Sequence, residues 1–294
     1  MADINILDKS DRDLSTGYMM WYRFSRNPAA VIGSLILLSV VILAVFAPWL
    51  TPYPKHIGAV VDFRARHMPP DLDHWFGTDK AGRDIFSRTI FGLRISLLLV
   101  IGVLGISVPV GTVLGLVAGY FGGWVEKLIS GLTNVMLAMP PLVMALAVSN
   151  LLEPTLMNAM IAITLLWWTW HARLIYSVSK SIASEDYIEA ARLAGAGPMH
   201  ILFREILPNC VSVISVKTTL DAAFVILFGA TLSFLGFGVK PPIPDLGSMV
   251  ADGRQFMPEF WWEVLCPGSL RDAGFQPPGR WPARYVRRGK LSND

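Results

Sequence analysis

Charge is what this chain has least of. Asp, Glu, Lys and Arg make up 16% of its 294 residues against 53% hydrophobic, and its mean hydropathy is +0.49. That balance excludes an ordinary soluble globular domain. The scarcity is also concentrated: residues 95–125 hold no charged side chain, and neither do 27–54, 128–152 or 154–172. About 20 apolar residues cross a bilayer as a helix, so each run is of spanning length. A fifth run, 210–239, is interrupted only by Lys217 and Asp221. Cysteine is nearly absent as well, with Cys210 opening the fifth segment and Cys266 lying beyond its far end, near opposite membrane faces, which argues against a disulfide between them.

Several chemical signatures are missing. No G-x-x-x-x-G-K-[ST] occurs, so nucleotide phosphates cannot be cradled by that route. No H-E-x-x-H is present, and His56, His67 and His74 lack ligand spacing with a cysteine or a second acidic cluster, so no metal centre is expected. Ser107, within GISVPVG, has no base nearby in the sequence, and His171, beside Trp170 and Arg173, reads as an interface residue where the fourth helix meets the cytoplasm. Neither enzyme activity, nor a cofactor, nor a nucleic-acid partner is expected.

What is present has the order of a polytopic membrane chain. The first 28 residues mix acids and bases and are too long and too weakly basic for the n-region of a cleaved signal peptide. Trp21, Tyr22 and Phe24 alternate with Arg23 and Arg26, which suits either an interfacial anchor or an ordinary helix start. The apolar runs predict helices over 29–50, 94–121, 125–150, 156–177 and 209–236. The expected organisation is an N-terminal segment 1–28, a membrane domain 29–240, a further outer loop 241–268 and a polar tail 269–294. Loop 51–93 carries Lys55, Arg64, Arg66, Lys80, Arg83 and Arg88, so a count of Lys and Arg alone would place it inside.

Inside these runs, Gly111, Gly115 and Gly119 repeat every fourth residue, a pattern that lets a second helix approach the backbone. Pro109 and the pair Pro140-Pro141 remove backbone donors and should bend their helices, either as packing kinks or around a pathway. Lys217 and Asp221 lie four residues apart, where they can pair with each other. They are the candidate pathway residues, with self-neutralisation the favoured reading, because an ionisable group within the membrane faces the interior or a cavity.

The charged stretch 185–209, EDYIEAARLAGAGPMHILFREILPN, is the most specific signal in the chain. A helix over 183–194, a stop at Gly195 and a second helix over 198–205 would make a compact hairpin between two apolar runs. Glu189, Ala190, Ala191, Gly195, Ile206, Leu207 and Pro208 resemble the cytoplasmic EAA loop of bacterial ABC importer permeases. A second stretch contains Gly77, Thr78 and Asp79, then Gly82, Arg83 and Asp84, then Phe86-Ser87-Arg88 and Gly92. With AGYFGG at 118–123 and LSFLGFG at 232–238, it resembles the C-type permease subunits of dipeptide and oligopeptide importers. Asp79, Arg83 and Asp84 offer alternating charge that suits an internal clasp or a surface receiving a binding protein, the clasp being favoured.

The resemblance implies an all-α, polytopic inner-membrane permease subunit. It puts loop 178–208 in the cytoplasm and loop 51–93 outside, three spans away. It also implies a second homologous permease subunit, two ATP-binding subunits that carry the ATP, a periplasmic solute-binding protein and a surrounding lipid bilayer. Glu189 would be a capping or hydrogen-bonding group, Gly195 the turn former, and Pro208 the end of the loop at the membrane. The alternatives are an ATP-independent secondary transporter or channel, and a remnant that no longer transports.

The remnant reading comes from the tail. Such permeases continue past Pro267-Gly268 into a sixth helix ending in a motif like FNLLGDGLRD, whereas this chain reads SLRDAGFQPPGRWPARYVRRGKLSND, with no apolar run of even ten residues. Reverse translation of 275–285, read one base later, can encode FNLLGDGLRD, with the second glycine forced by the Trp281 codon. A one-base frameshift near codons 268–270 is therefore expected to have replaced the sixth helix. Sequencing the gene checks this: the alternate frame should encode an apolar helix ending in that motif, and complementation by the chain as written should give poor uptake.

Overall fold

In the computed structural model, residues 25–26 and 28–272 are described. The tail from 273 onward and the first 24 residues, including the anchor expected at Trp21, Tyr22, Arg23 and Phe24, lie outside them. The chain divides into a smaller unit, 1–42 with 268–294, and a larger one, 43–267. The described part of the smaller unit is mainly helix α1, Pro28–Val45, whose Ile32, Leu35, Leu37 and Leu38 are all exposed. A helix apolar all round is suited to lipid rather than to water.

The larger unit is a helical bundle. After a short helix α2, Ala47–Leu50, the chain runs through turns to α3, Ile85–Phe121, a helix of 37 residues. Then come α4, Gly123–Leu137; α5, Pro141–Leu151; α6, Leu156–Ala183; and α7, Asp186–Leu193. A short α8, Pro198–His200, passes through a π-turn, Ile201–Ile206, into α9, Leu207–Phe234. Helix α10, Leu246–Gly253, and α11, Trp262–Asp272, follow, so the stretch expected as a loop at 241–268 holds helical turns. The expected start of the polar tail at 269 likewise falls within α11, which continues to Asp272.

Two of these helical stretches, Ile85–Phe121 and Pro198–Phe234, are long and apolar enough to cross a membrane. The pair α4 and α5 would add a third if it forms one bent span. The five expected spans are thus not all distinguished by length and composition. Helix α6 carries Trp167, Trp168, Trp170, His171, Arg173 and Lys180, which lower its hydropathy. One face of it is nevertheless enclosed by the bundle, with Ala162, Ile163, Trp167, His171 and Ile175 all buried.

The enclosure follows from the glycine repeat. Built onto Gly111, Gly115 or Gly119, a Cβ atom would fall 2.5 Å from the carbonyl of Trp168, 2.6 Å from that of Ala172 and 2.7 Å from Cβ of Ser179 respectively. Helix α3 therefore lies directly on the backbone of α6 along three turns, as the spacing predicts. Ser179 adds a hydrogen bond from its hydroxyl to the carbonyl of Leu116 at 3.3 Å. Around this pair a core forms from Leu99 and Val103 of α3, Ala145 of α5, Ile163 and Trp167 of α6, and Val225 and Leu232 of α9.

Proline acts differently at its two sites. Pro140 and Pro141 break the expected third helix, leaving α4 and α5 bent by 87°. Pro109 lies inside α3 without interrupting it.

Replacing Gly115 by Ala should push α3 off α6 and cost about 1–3 kcal/mol. Gly105 has no neighbour within 4 Å of its notional Cβ, so Gly105→Ala should be neutral or stabilise by up to about 1 kcal/mol. Thermal unfolding of both variants in detergent checks the contrast, and equal midpoints would count against the close approach.

Candidate functional site

The stretch 184–208 folds as a hairpin with an irregular second arm. Glu185, in an extended conformation, precedes α7, and Asp186 and Glu189 lie in its first turn, where acidic groups complement the helix dipole. Gly195 takes φ +88°, while the amide of Ala196 donates to the carbonyl of Ala191 and that of Gly195 to Arg192, both at 3.0 Å. This paired closure is a Schellman stop, and its left-handed residue favours glycine.

The hairpin is rooted by apolar side chains. Ile188, Ile201, Leu202, Ile206 and Cys210 are buried together with Leu116 of α3 and Ile175 of α6. Outward lie Glu189, Ala190, Gly195 and Pro208, with Ala191 and Leu207 half-buried. Among the described residues no side-chain hydrogen bond or ion pair engages the carboxylate of Glu189. Ile206 is fully enclosed, so its contribution to any docking surface acts through packing. Tyr187, Leu193, Met199 and Phe203 are exposed apolar side chains on the same hairpin.

Pro208 falls where the hairpin passes into α9. It sits in the first turn of α9, and helical structure continues from Pro198 through Phe234. A proline offers no N–H to the preceding turn, and that turn has widened, with the amide of Leu207 reaching back five residues to the carbonyl of Leu202.

A second cluster lies between α6 and α9. Asp221 is 1% exposed and forms an ion pair with Lys217, as the four-residue spacing predicts, while its other oxygen lies 3.5 Å from Nε2 of His171. The Lys217 ammonium also sits over the ring of Trp170 at 5.6 Å. His171 is not the cytoplasmic interface residue expected. It is fully buried, with its Cβ close against Gly111. The signal that would have found it is the run Ile163, Trp167, His171, Ile175 and Ser179, one buried position every four residues.

The 77–84 segment is turned inward. Gly77 and Gly82 have φ of +72° and +75°, and a Cβ on Gly82 would fall 2.0 Å from the carbonyl of Asp62. Asp79 accepts from the amides of Ala81 and Arg83 at 2.8 and 3.0 Å and from Nε of Arg83 at 2.8 Å, which is the internal clasp. Thr78 accepts from the amide of Met68 at 2.9 Å and donates to the carbonyl of Ala65. Asp84 caps α3 through the amide of Ser87 at 2.7 Å and holds Nδ1 of His74 at 2.9 Å. Sequence reasoning missed two distant partners, Lys80 with Asp252 at 2.7 Å and His67 with Glu263 at 2.5 Å, since nothing local announces either.

Residues 111–265 match the family described as binding-protein-dependent transport system inner membrane component, and residues 15–70 match the N-terminal TM domain of oligopeptide transport permease C. The chain is 39% identical to a dipeptide transport system permease protein, DppC, of Alkalihalophilus pseudofirmus, over 84% of this chain and 80% of the relative. It belongs to this family of inner membrane transport components.

Other permease relatives include DppC of Haemophilus influenzae, 37% identical over 85% of this chain and 86% of the relative. The glutathione transport system permease protein GsiD of Escherichia coli is also 37% identical, over 85% and 82%. Among solved structures, an inward-facing MetNI methionine ABC transporter matches with a TM-score of 0.45 and 19% identity, covering 64% of this chain and 89% of that one.

In this permease, His56 links the clasp to the start of α3: its Nδ1 accepts the amide of Asp84 at 2.9 Å, so the ring must be neutral on that nitrogen. Burial depresses the His56 pKa, and the nearby Asp84 carboxylate only partly opposes this. The unfolded chain therefore binds the proton more readily, and stability falls as pH drops through the unfolded value of about 6.5. Burial raises the Glu263 pKa, which acts with the opposite sign but is common to parent and variant. Thermal midpoints at pH 7.5 and 5.5 should thus fall further on acidification for the parent than for His56→Gln.

Proposed function

We propose that this chain is a membrane-spanning permease subunit of an ABC importer for peptides, in the bacterial inner membrane, forming part of the translocation pathway. The observation that carries the reading is the hairpin at 184–208. Its root is packed into the bundle while Glu189, an unengaged acceptor, stands on its outer face. A rigid helical knob of this kind fits a groove in a partner, and the chain has no phosphate-binding loop of its own. ATP hydrolysis is accordingly assigned to two ATP-binding subunits that receive the hairpin on the cytoplasmic side. A second homologous permease subunit and a periplasmic solute-binding protein complete the assembly.

On this reading five spans cross the bilayer: α1, α3, the bent pair α4–α5, α6 and α9. Helix α6 needs little lipid-facing surface because its neighbours cover it. The clasp at 77–84 lies three spans from the hairpin and therefore on the outer side. Peptide as the cargo is supported by the names of the DppC relatives, while GsiD shows that related permeases serve glutathione. The Lys217–Asp221 pair argues against an ion-driven transporter, since its opposite charges already neutralise each other.

Copurification tests the docking role. The intact chain should retain its ATP-binding subunits, whereas Glu189→Lys, which reverses the outward charge, and Gly195→Asp, which strains the left-handed turn, should each lose most of them. Retention at the parental level by both variants would contradict the hairpin's role.

A further inference from the structure

One side chain just outside the seven motif residues ties the two arms of the hairpin together. Asn209 donates from Nδ2 to the carbonyl of Glu205 at 2.6 Å, within the turn that Pro208 deprives of a donor, and to the hydroxyl of Tyr187 on α7 at 3.3 Å. Among the described residues this is the one side-chain hydrogen bond between α7 and the stretch 198–209, which runs from the second arm into the start of α9. The packing of Ile188 against Ile201 and Ile206 holds the arms together, but burial of apolar surface has no preferred direction. Hydrogen bonds do. The π-turn also needs holding: a return to ordinary helical register shifts the arm by one residue and rotates everything before it by about 100°.

We infer that Asn209 is a positioning residue for docking. It holds the widened turn in register and sets the angle of α7, and with it the outward aim of Glu189, two residues beyond Tyr187. The inference rests on the docking reading above, since it names what orients that surface.

The test uses the full-length chain in nanodiscs and its purified ATP-binding subunit. Asn209→Ala and Asn209→Leu both remove the amide's hydrogen bonds, and each should weaken the Kd about tenfold, the scale of one net hydrogen bond, with the thermal midpoint lowered by no more than about 4 °C. Asn209→Gln keeps the donor and should stay within about threefold of the parent. Amide exchange across 186–206 should quicken in the Ala and Leu variants alone. Parental binding by Asn209→Leu, or equal losses for Gln and Ala, would overturn the inference. If the parent chain itself binds no ATP-binding subunit, the docking reading fails on its own. Exchange then decides the rest: unchanged protection in Asn209→Ala would overturn the claim that this side chain sets the arms.

Discussion

The close contact of α3 with α6 is the constraint from which the rest of the bundle follows. Between apolar helices in lipid, association gains little from the hydrophobic effect and depends on van der Waals packing and hydrogen bonds, so small residues at the seam matter more than large ones. Gly111, Gly115 and Gly119 supply three turns of backbone contact, and Ser179 adds a hydrogen bond. Once α6 is enclosed in this way, it is no longer required to be uniformly lipophilic. That freedom accounts for a helix at the centre of a membrane protein family fold carrying three tryptophans and a histidine, and for its low apparent hydropathy.

Charge inside such a bundle must be answered locally, and it is. Asp221 serves Lys217 through one oxygen and faces His171 with the other. Near the other end of α6, Lys180 meets Glu126 of α4 at 2.6 Å, Tyr176 donates to the same carboxylate, and Arg173 reaches Asn134 at 2.8 Å. The buried carboxylate of Asp221 adds little net stability through its pair, because desolvation offsets most of the Coulomb gain, but breaking the pair leaves an uncompensated charge, whereas the exposed Lys180 and Arg173 contacts are screened by solvent. Their consequence is to fix which faces of α4, α6 and α9 meet, and to leave few free ionisable groups among those helices for ion coupling.

How much of this was legible in the sequence depended on whether the determining contact was local. The glycine repeat announced a helix seam because its period is that of one helix face. Gly195 announced a helix stop because few other residues tolerate its φ, and Lys217 with Asp221 announced a pair at a spacing one turn can close. Pro208 announced the passage into α9, but not the widened turn before it, through which helical structure continues. His171 was misplaced because its neighbours in sequence, Trp170 and Arg173, are an interfacial combination, whereas its position is set by Gly111 on another helix. The bonds from His67 to Glu263 and Lys80 to Asp252 span 196 and 172 residues, and no local pattern encodes such closures.

The same contacts define how a force on the hairpin would enter the bundle. Helix α7 is held at its base by Ile188, which packs with Leu116 of α3 and Ile175 of α6, and near its end by the Arg192 guanidinium over the ring of Tyr120 at 4.8 Å. Both anchors reach α3 close to the glycine seam. Because the seam binds α3 to α6 along their backbones, a displacement of α7 cannot move one of these helices without the other. Helix α9 joins the same root through Cys210, which is buried together with Ile188, Leu116 and Ile175. A displacement of the hairpin's root therefore bears on α3, α6 and the start of α9 together.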